Sequence, residues 1–329
     1  MMKKYIVITS VNGKTRAIDE FERKAGWRIV IVGDRRSRPI ENSPNLTYLS
    51  VDDQRRLGFD MVDKTPFNHY ARKNIGYLYA LREGADIIYD TDDDNIPYPD
   101  WEAYDFECET MIRRGSGYVN IYGYFSDTYI WPRGFPLDEI VKTRFISPER
   151  CSPVKIGAWQ GLSDIEPDVD AIYRLLFNKT VTFDRKEAVA LPREMFCPFN
   201  SQNTLWSRDA FPFLYLPGTV GFRFTDILRG YIAQKLFWAA GMHLGFHKAT
   251  VYHERNSHDL MDDFSAEMDC FLNAGKIVDS LRRADFTGSP SENLVGVYQH
   301  LLQAGFVRDD ELMLVEAWSR DVQHYLQQT

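Results

Sequence analysis

The sequence predicts an α/β protein with a mostly parallel central sheet flanked by helices and a helical C-terminal tail. Three observations carry this reading. An apolar strand, a short helix and a second apolar strand follow one another within the first 32 residues, the spacing of a βαβ unit. A helical stripe over residues 70–84 leads directly into another apolar run, Ala85 to Tyr89. The 329 residues are 44% hydrophobic and 14% aromatic, enough for the core of one large domain or two smaller ones.

The first strand is Tyr5 to Ser10, with Thr9 near its end. A polar loop, Val11 to Thr15, leads to a helix over Ala17 to Ala25 that stops near Gly26. The second strand, Trp27 to Val32, ends at Gly33-Asp34. No G-x-G-x-x-G follows the first strand, so the dinucleotide fingerprint is missing. Asp34 is placed to accept a hydrogen bond from a ribose or uracil, or else to be a surface turn acid. A third strand, Leu46 to Val51, carries Asp52 and Asp53 at its end.

The helix over Tyr70 to Gly84 sets Ile75, Leu78, Tyr79 and Leu81 along one stripe, with Arg72 and Lys73 near its start. Cations at a helix N-terminus oppose the macrodipole. An anion bound there offsets that cost, so a diphosphate contact competes with a merely solvated face.

That helix feeds Ile87-Ile88-Tyr89-Asp90-Thr91-Asp92-Asp93-Asp94-Asn95, where four carboxylates crowd into five positions. Like charges this close persist because a cation meets them or because water does. The preceding buried strand delivers them to the C-terminal edge of a parallel sheet, where open α/β folds bind ligands. A D-x-D at a strand end suits Mg²⁺ or Mn²⁺ and a diphosphate leaving group, the arrangement of nucleotide-sugar transferases.

Beyond it, Val119 to Tyr124 has β character. Ile130 to Pro136 is an aromatic turn fixed by one glycine and two prolines, which presents Arg133 for contact or for a structural salt bridge. Trp159, beside glycines, is a sugar-stacking platform or a core residue. Pro167, with acids around it, starts a helix. The loop Pro198 to Thr204 holds Asn200 and Gln202, amides that suit sugar hydroxyls or an Asx-type turn. A strand-like run, Val220 to Thr225, delivers Asp226 to the helix Ile227 to Ala240, as its N-cap, as a catalytic acid, or as both. A last strand, Ala249 to His253, ends on a candidate remote metal ligand. The tail reads as helices over Met268 to Arg282, Glu292 to Gly305 and Asp309 to Gln327, broken at Gly288 to Pro290, with no chemical motif. There is no internal repeat.

A net charge of −8 argues against a nucleic-acid surface. The four cysteines, Cys108, Cys151, Cys197 and Cys270, form no C-x-x-C pair and suggest reduced thiols rather than a zinc site. No stretch approaches the ~20 apolar residues of a membrane span. A cytoplasmic protein is expected.

Several blocks together resemble the STELLO-type glycosyltransferases. They are Arg72-Lys73-Asn74-Ile75-Gly76-Tyr77-Leu78-Tyr79-Ala80, Ile88 to Asn95, Trp131-Pro132-Arg133-Gly134, Gln160-Gly161-Leu162, Pro167 to Leu175 and Pro198 to Thr204. They fall in order over roughly residues 5–260. The plant members look like Golgi membrane proteins with an N-terminal anchor, a location not carried over here. A looser similarity is to the reversibly glycosylated polypeptides, which act as UDP-arabinopyranose mutases. Both imply a GT-A fold and a UDP-sugar donor.

The expectations are then a GT-A domain over residues 1–260 and a helical extension over 261–329 packed on it. The nucleotide would lie near Thr9, Asp34 and Asp52, with Arg72 and Lys73 toward the diphosphate or sugar. Asp92, Asp93, Trp159, Asn200 and Gln202 complete the donor contacts, and Asp92, Asp94 and His253 hold Mn²⁺ or Mg²⁺. Asp226 is the candidate base or sugar-orienting acid, with Asp170 and Arg133 as further catalytic candidates. The acceptor is a glycan, a protein or a modified nucleobase, and a homo-oligomer is compatible with the chain. The alternatives are a mutase acting through a self-glycosylated Arg133 and a non-catalytic scaffold.

Overall fold

The computed structural model describes residues 2–113, 115, 117–142, 147–254 and 259–327. Its strands are β1 (Lys4–Thr9), β2 (Trp27–Val32), β3 (Leu46–Leu49), β4 (Ile87–Thr91), β5 (Asn95–Pro97), β6 (Glu107–Ile112), β7 (Gly117–Tyr118), β8 (Pro148–Ile165), β9 (Val189–Ala190), β10 (Met195–Phe196), β11 (Asn203–Ser207) and β12 (His243–His253). The helices are α1 (Arg16–Glu22), α2 (Val51–Arg56), α3 (Lys73–Arg82), α4 (Tyr122–Phe125), α5 (Ala171–Leu176), α6 (Thr225–Ala239), α7 (Leu260–Ala266), α8 (Met268–Arg283), α9 (Pro290–Gln303) and α10 (Asp310–Gln327).

The apolar runs Tyr5-Ile6-Val7-Ile8 and Ile29-Val30-Ile31 are buried on both faces, as a covered parallel sheet requires. β1 pairs in parallel with β2 and with β4, and β2 in parallel with β3. Past β4 the sheet is mixed rather than mostly parallel. β11 is antiparallel to β4 and to β8, whereas β12 runs parallel to β8 and antiparallel to β5. The large sheet runs β3-β2-β1-β4-β11-β8-β6-β9-β12-β5. The correction has a plain cause: strand direction beyond β4 is set by long-range pairing, which leaves no local trace. The arrangement is consistent with a GT-A-like fold.

These directions matter for position. The C-terminal ends of β1, β2, β4, β8 and β12, and the start of β11, all reach one edge of the sheet.

α3 lies on that sheet at close range. A Cβ on Gly76 would stand 2.6 Å from Val7 Cγ1 and 2.7 Å from Val32 Cγ2, so only glycine permits this approach. The other side of α3 is covered by α10, where the Tyr77 and Trp318 rings meet edge to face at 6.5 Å. One hydrophobic core therefore runs from β1 through α3 to the C-terminal helices. Among the described residues no helix is long and apolar enough to cross a membrane.

Three local expectations change. β3 stops at Leu49, and Ser50 caps α2 in a capping box with Asp53, so Asp52 and Asp53 sit in a helical turn. Val119 to Tyr124 is not a strand; it leads into the one-turn helix α4. Val220 to Thr225 is a turn, and Asp226 falls in the first turn of α6, inside the helix rather than at its cap, Phe224.

Candidate functional site

The acid turn links β4 to β5; Asp90 and Asp92 share Lys73, while Asp93 and Asp94 each have partners of their own. Asp90, fully buried, lies 2.8 Å from both Lys73 Nζ and Arg229 Nη1. Asp92 Oδ1 accepts from Tyr70 Oη at 2.6 Å and from Lys73 Nζ at 3.0 Å. Asp93 accepts from Ser10 Oγ and from Asn12 Nδ2, while Thr15 Oγ1 donates to its carbonyl. Asp94 Oδ2 lies 3.0 Å from His253 Nε2.

The electrostatics follow from burial and neighbours. Burial pushes the Asp92 carboxyl up to about 6, Lys73 pulling it down and Asp94 pushing it further up. Burial raises Asp93 as well. Burial also works on Asp94, but the hydrogen bond and charge of His253 hold it below the usual carboxylate range. His253 moves the other way: burial opposes its charge, and Asp94 more than restores it.

β12 brings His253 to this turn by pairing with β5, His253 opposite Asn95. The second ring nitrogen, Nδ1, faces the Glu166 carbonyl at 3.1 Å. That carbonyl follows Ile165, a β-branched residue held at φ +71°, an unusual backbone position of the kind that collects at functional sites.

A buried polar network continues inward. Arg229 reaches from Asp90 to the Asn200 carbonyl at 3.1 Å and Ser201 Oγ at 2.8 Å. Ser201 N points to Asp226 Oδ2 at 3.4 Å, and Asp226 pairs with Arg133 at 2.8 Å. Arg133 Nε in turn meets Asp168 Oδ1 at 2.8 Å, and Asn200 Nδ2 donates to Asp168 Oδ2 at 2.6 Å. Asp92, Lys73, Asp90, Arg229, Asp226, Arg133 and Asp168 thus form one chain of charge behind the sheet edge.

The structure brings several expected residues to this edge. Lys73, Asp92, Asp93, Asp94, His253 and Asn200 converge there. Thr9 and Asp34 end the adjacent strands β1 and β2, with Asp34 Oδ2 accepting from Asn68 N at 2.6 Å. Gln202 lies beside them, its carbonyl accepting from Thr91 Oγ1 at 2.7 Å.

Others are corrected. Trp159 is buried in the core, its indole N–H donating to the Asp105 carbonyl, and offers no stacking face. Arg72 turns away from the acids: it bonds Gln54 Oε1 and the Thr65 carbonyl and stacks on Phe67 at 4.4 Å. Asp52 is exposed on α2 beside Arg55. Asp170 caps α5 and accepts from the Trp131 indole at 2.6 Å; burial pushes it up to about 6. Arg133 donates all five of its N–H groups, to Asp168, Asp226 and the Arg223 carbonyl. Asp226 accepts two bonds from Arg133 and one each from Ile227 N and Ser201 N, which fills its acceptor positions and leaves none for a base.

Residues that sequence reasoning passed over are Asp90, Arg229, Tyr70, Ser10 and Asp168. Asp168 accepts three bonds, so one acceptor position stays open, and its side chain keeps 14% of its surface exposed. Phe222 is 57% exposed and sits edge-on against Tyr70, the residue that holds Asp92.

Among the described residues no group of three or more His, Cys, Asp or Glu side chains is arranged to hold a metal ion. The expected trio is therefore not assembled: Asp92 is engaged by Lys73 and Tyr70, while Asp94 and His253 remain together. Asp94 and His253 offer one oxygen and one nitrogen donor to a divalent cation, whose remaining positions water or substrate would have to fill.

The sheet edge and its acid turn define an α/β protein of GT-A-like build. The family model described as STELLO glycosyltransferases matches residues 223–327. Two relatives in Arabidopsis thaliana, named "Probable glycosyltransferase STELLO1" and "Probable glycosyltransferase STELLO2", are each 28% identical to the chain, over 346 and 351 aligned positions. Each alignment covers 97% of this chain and 44% of the relative, so the chain spans less than half the length of these relatives. Together these matches support a STELLO-type family assignment.

Proposed function

We propose that this protein is a metal-dependent glycosyltransferase that takes a sugar from a UDP-sugar. The observation that carries the reading is the meeting of Asp94 and His253 at the sheet edge, with His253 oriented by the Glu166 carbonyl. Orientation of a ligating histidine through its second nitrogen is a common support of metal sites. Mn²⁺ or Mg²⁺ held there would offset the charge that builds on the diphosphate as the glycosidic bond breaks.

The chain's own residues divide the remaining work. Thr9 and Asp34 flank the nucleotide side of the edge. Lys73 and Tyr70 fix the Asp92 carboxylate, and Ser10 and Asn12 fix Asp93, so the turn is rigid before a donor arrives. Asp168, with its open acceptor position, replaces Asp226 as the acid that orients a reacting hydroxyl, and Asn200 holds it in place.

The transferase reading is preferred to a mutase acting through Arg133. A guanidinium in five hydrogen bonds, its pKa raised well above the usual value because two carboxylates more than offset burial, is no nucleophile. The compartment is read as cytoplasmic on the strength of four free cysteines. The test is incubation with Mn²⁺ and a panel of UDP-sugars while following UDP release. Release above background with at least one donor is expected; its absence with every donor would overturn the proposal.

A further inference from the structure

Residues 215–224 lead into α6 and carry one proline and two glycines, a composition that favours turns. Three side chains from elsewhere in the fold hold this segment. Asn74 on α3, next to Lys73, bonds both the N–H and the carbonyl of Leu216 at 2.8 Å. Glu311 on α10, fully buried, accepts from Tyr215 Oη, from Gly218 N at 3.2 Å and from Thr219 N at 2.8 Å. His69 Nε2 faces the Val220 carbonyl at 3.3 Å. The C-terminal tail, to which no chemistry had been attached, thus fixes a segment that borders the acid turn.

Phe222 belongs to this fixed segment, yet it is largely exposed. Single exposed apolar residues are ordinary. Phe222 differs in what it touches. Among the described residues three aromatic side chains are largely exposed, Tyr129, Phe177 and Phe222, and of these only Phe222 packs on a ring that bonds the acid turn. That ring is Tyr70, 5.6 Å away between centroids, whose hydroxyl donates to Asp92. One residue further along the chain, the Arg223 carbonyl accepts from Arg133, and Arg133 holds Asp168. Phe222 is therefore tied through its ring to the acid turn and through its backbone to Asp168, the acid with an open acceptor position.

An apolar ring beside a carboxylate that can accept one more bond selects a ligand class. A pyranose presents an apolar C–H face and a rim of hydroxyls. The face lies on an aromatic ring while a hydroxyl donates to the carboxylate. A peptide serine or threonine offers the hydroxyl but no ring face beside the reacting oxygen. Because the segment is anchored before a ligand arrives, little of the cost of binding goes into ordering it.

We infer that Phe222 is the platform on which the pyranose ring of a glycan acceptor lies, with its reacting hydroxyl toward Asp168. The acceptor role rests on the glycosyltransferase reading; sugar binding at Phe222 does not. The test uses the full chain, alone and with Mn²⁺ and UDP, and a panel of methyl pyranosides and their disaccharides followed by saturation-transfer NMR. The strongest binder is then titrated into wild type, Phe222→Ala and Phe222→Trp, and UDP affinity is measured in each. Phe222 is 57% exposed, so its replacement leaves the core intact. We expect at least about tenfold weaker glycoside binding in Phe222→Ala, binding within about threefold of wild type in Phe222→Trp, and wild-type UDP affinity in both. The ring C–H protons of the bound sugar should receive the strongest saturation. Binding of no glycoside in either state, or wild-type glycoside affinity in Phe222→Ala, would overturn the platform. A loss of UDP affinity as large as the loss of glycoside affinity would also overturn it, since Phe222 would then face the donor. Phe222-dependent glycoside binding without UDP release from any donor would support the platform and overturn the transferase reading alone.

Discussion

Asp94 and His253 stand 159 residues apart in the chain, and their side chains meet at 3.0 Å. The contact is a product of strand order. β5 follows the acid turn directly, β12 pairs with β5 at the sheet's edge, and the register sets His253 opposite Asn95. The same pairing fixes where a cation can be held and ties the site to the fold rather than to a flexible loop.

The first prediction concerns pH. Asp92 and Asp170, raised by burial to about 6, take up protons in the folded protein at a pH where the unfolded chain does not. Their contribution to stability grows as pH falls from about 6 toward about 4. His253, raised with Asp94 as partner, stabilises fully below its unfolded pKa and loses that as pH rises through its folded one. Asp94, depressed, keeps its contribution until pH falls through its folded value. The metal-free protein should therefore melt at a higher temperature near pH ~5.5 than near pH ~8, and added Mn²⁺ should raise the melting temperature more at the higher pH. Scanning calorimetry at both values, with and without Mn²⁺, checks this; an equal Mn²⁺ shift at both would contradict it.

The second concerns the buried network. Arg229→Met removes a cation that Asp90 needs, and breaking a buried pair in this way costs about 3–5 kcal/mol. Urea unfolding measures the loss. A cost under about 1 kcal/mol would place the Asp90 charge on Lys73 alone.

The third concerns Arg133. With every N–H engaged, it should gain no sugar when the protein meets its UDP-sugar and metal. Intact mass spectrometry with fragment mapping decides the matter. An added hexose or pentose on Arg133 would restore the mutase reading.

The fourth separates Asp226 from the chemistry. Asp226→Asn should lower stability by roughly 3 kcal/mol, through loss of a buried ion pair, and leave UDP release within about tenfold of wild type at a temperature where it is folded. A loss of about a thousandfold in the folded variant would return Asp226 to a catalytic role.

Much of this site was legible in the sequence because its parts are local. The run Ile87 to Asp94 shows a buried strand emptying into carboxylates, and β1 and β2 show their burial as unbroken apolar stretches. His253 was legible as a histidine at a strand end. The misplaced residues share one cause: their partners are distant in the chain. Arg72 beside Lys73 looks equivalent on paper, yet a helical turn rotates them onto different faces, toward Gln54 and toward Asp90. Trp159 between glycines suggested exposure; its ring instead packs against Gly245 of the neighbouring strand β12, where a Cβ would stand 2.3 Å from it. Asp168 and Asp170 are two residues apart and equally acidic. Only the tertiary structure assigns one to Arg133 and the other to a helix cap.

The central claim is that Asp94 and His253 hold a divalent cation for the donor's diphosphate. Calorimetric titration of UDP into the protein with Mn²⁺, and again in excess chelator, tests it most directly, repeated on Asp94→Asn and His253→Ala. The account predicts UDP binding that needs Mn²⁺ and weakens by about 100-fold, or about 2.7 kcal/mol, in each variant, with melting temperatures close to wild type. Equal UDP affinity in chelator, or wild-type affinity in both variants, would contradict it.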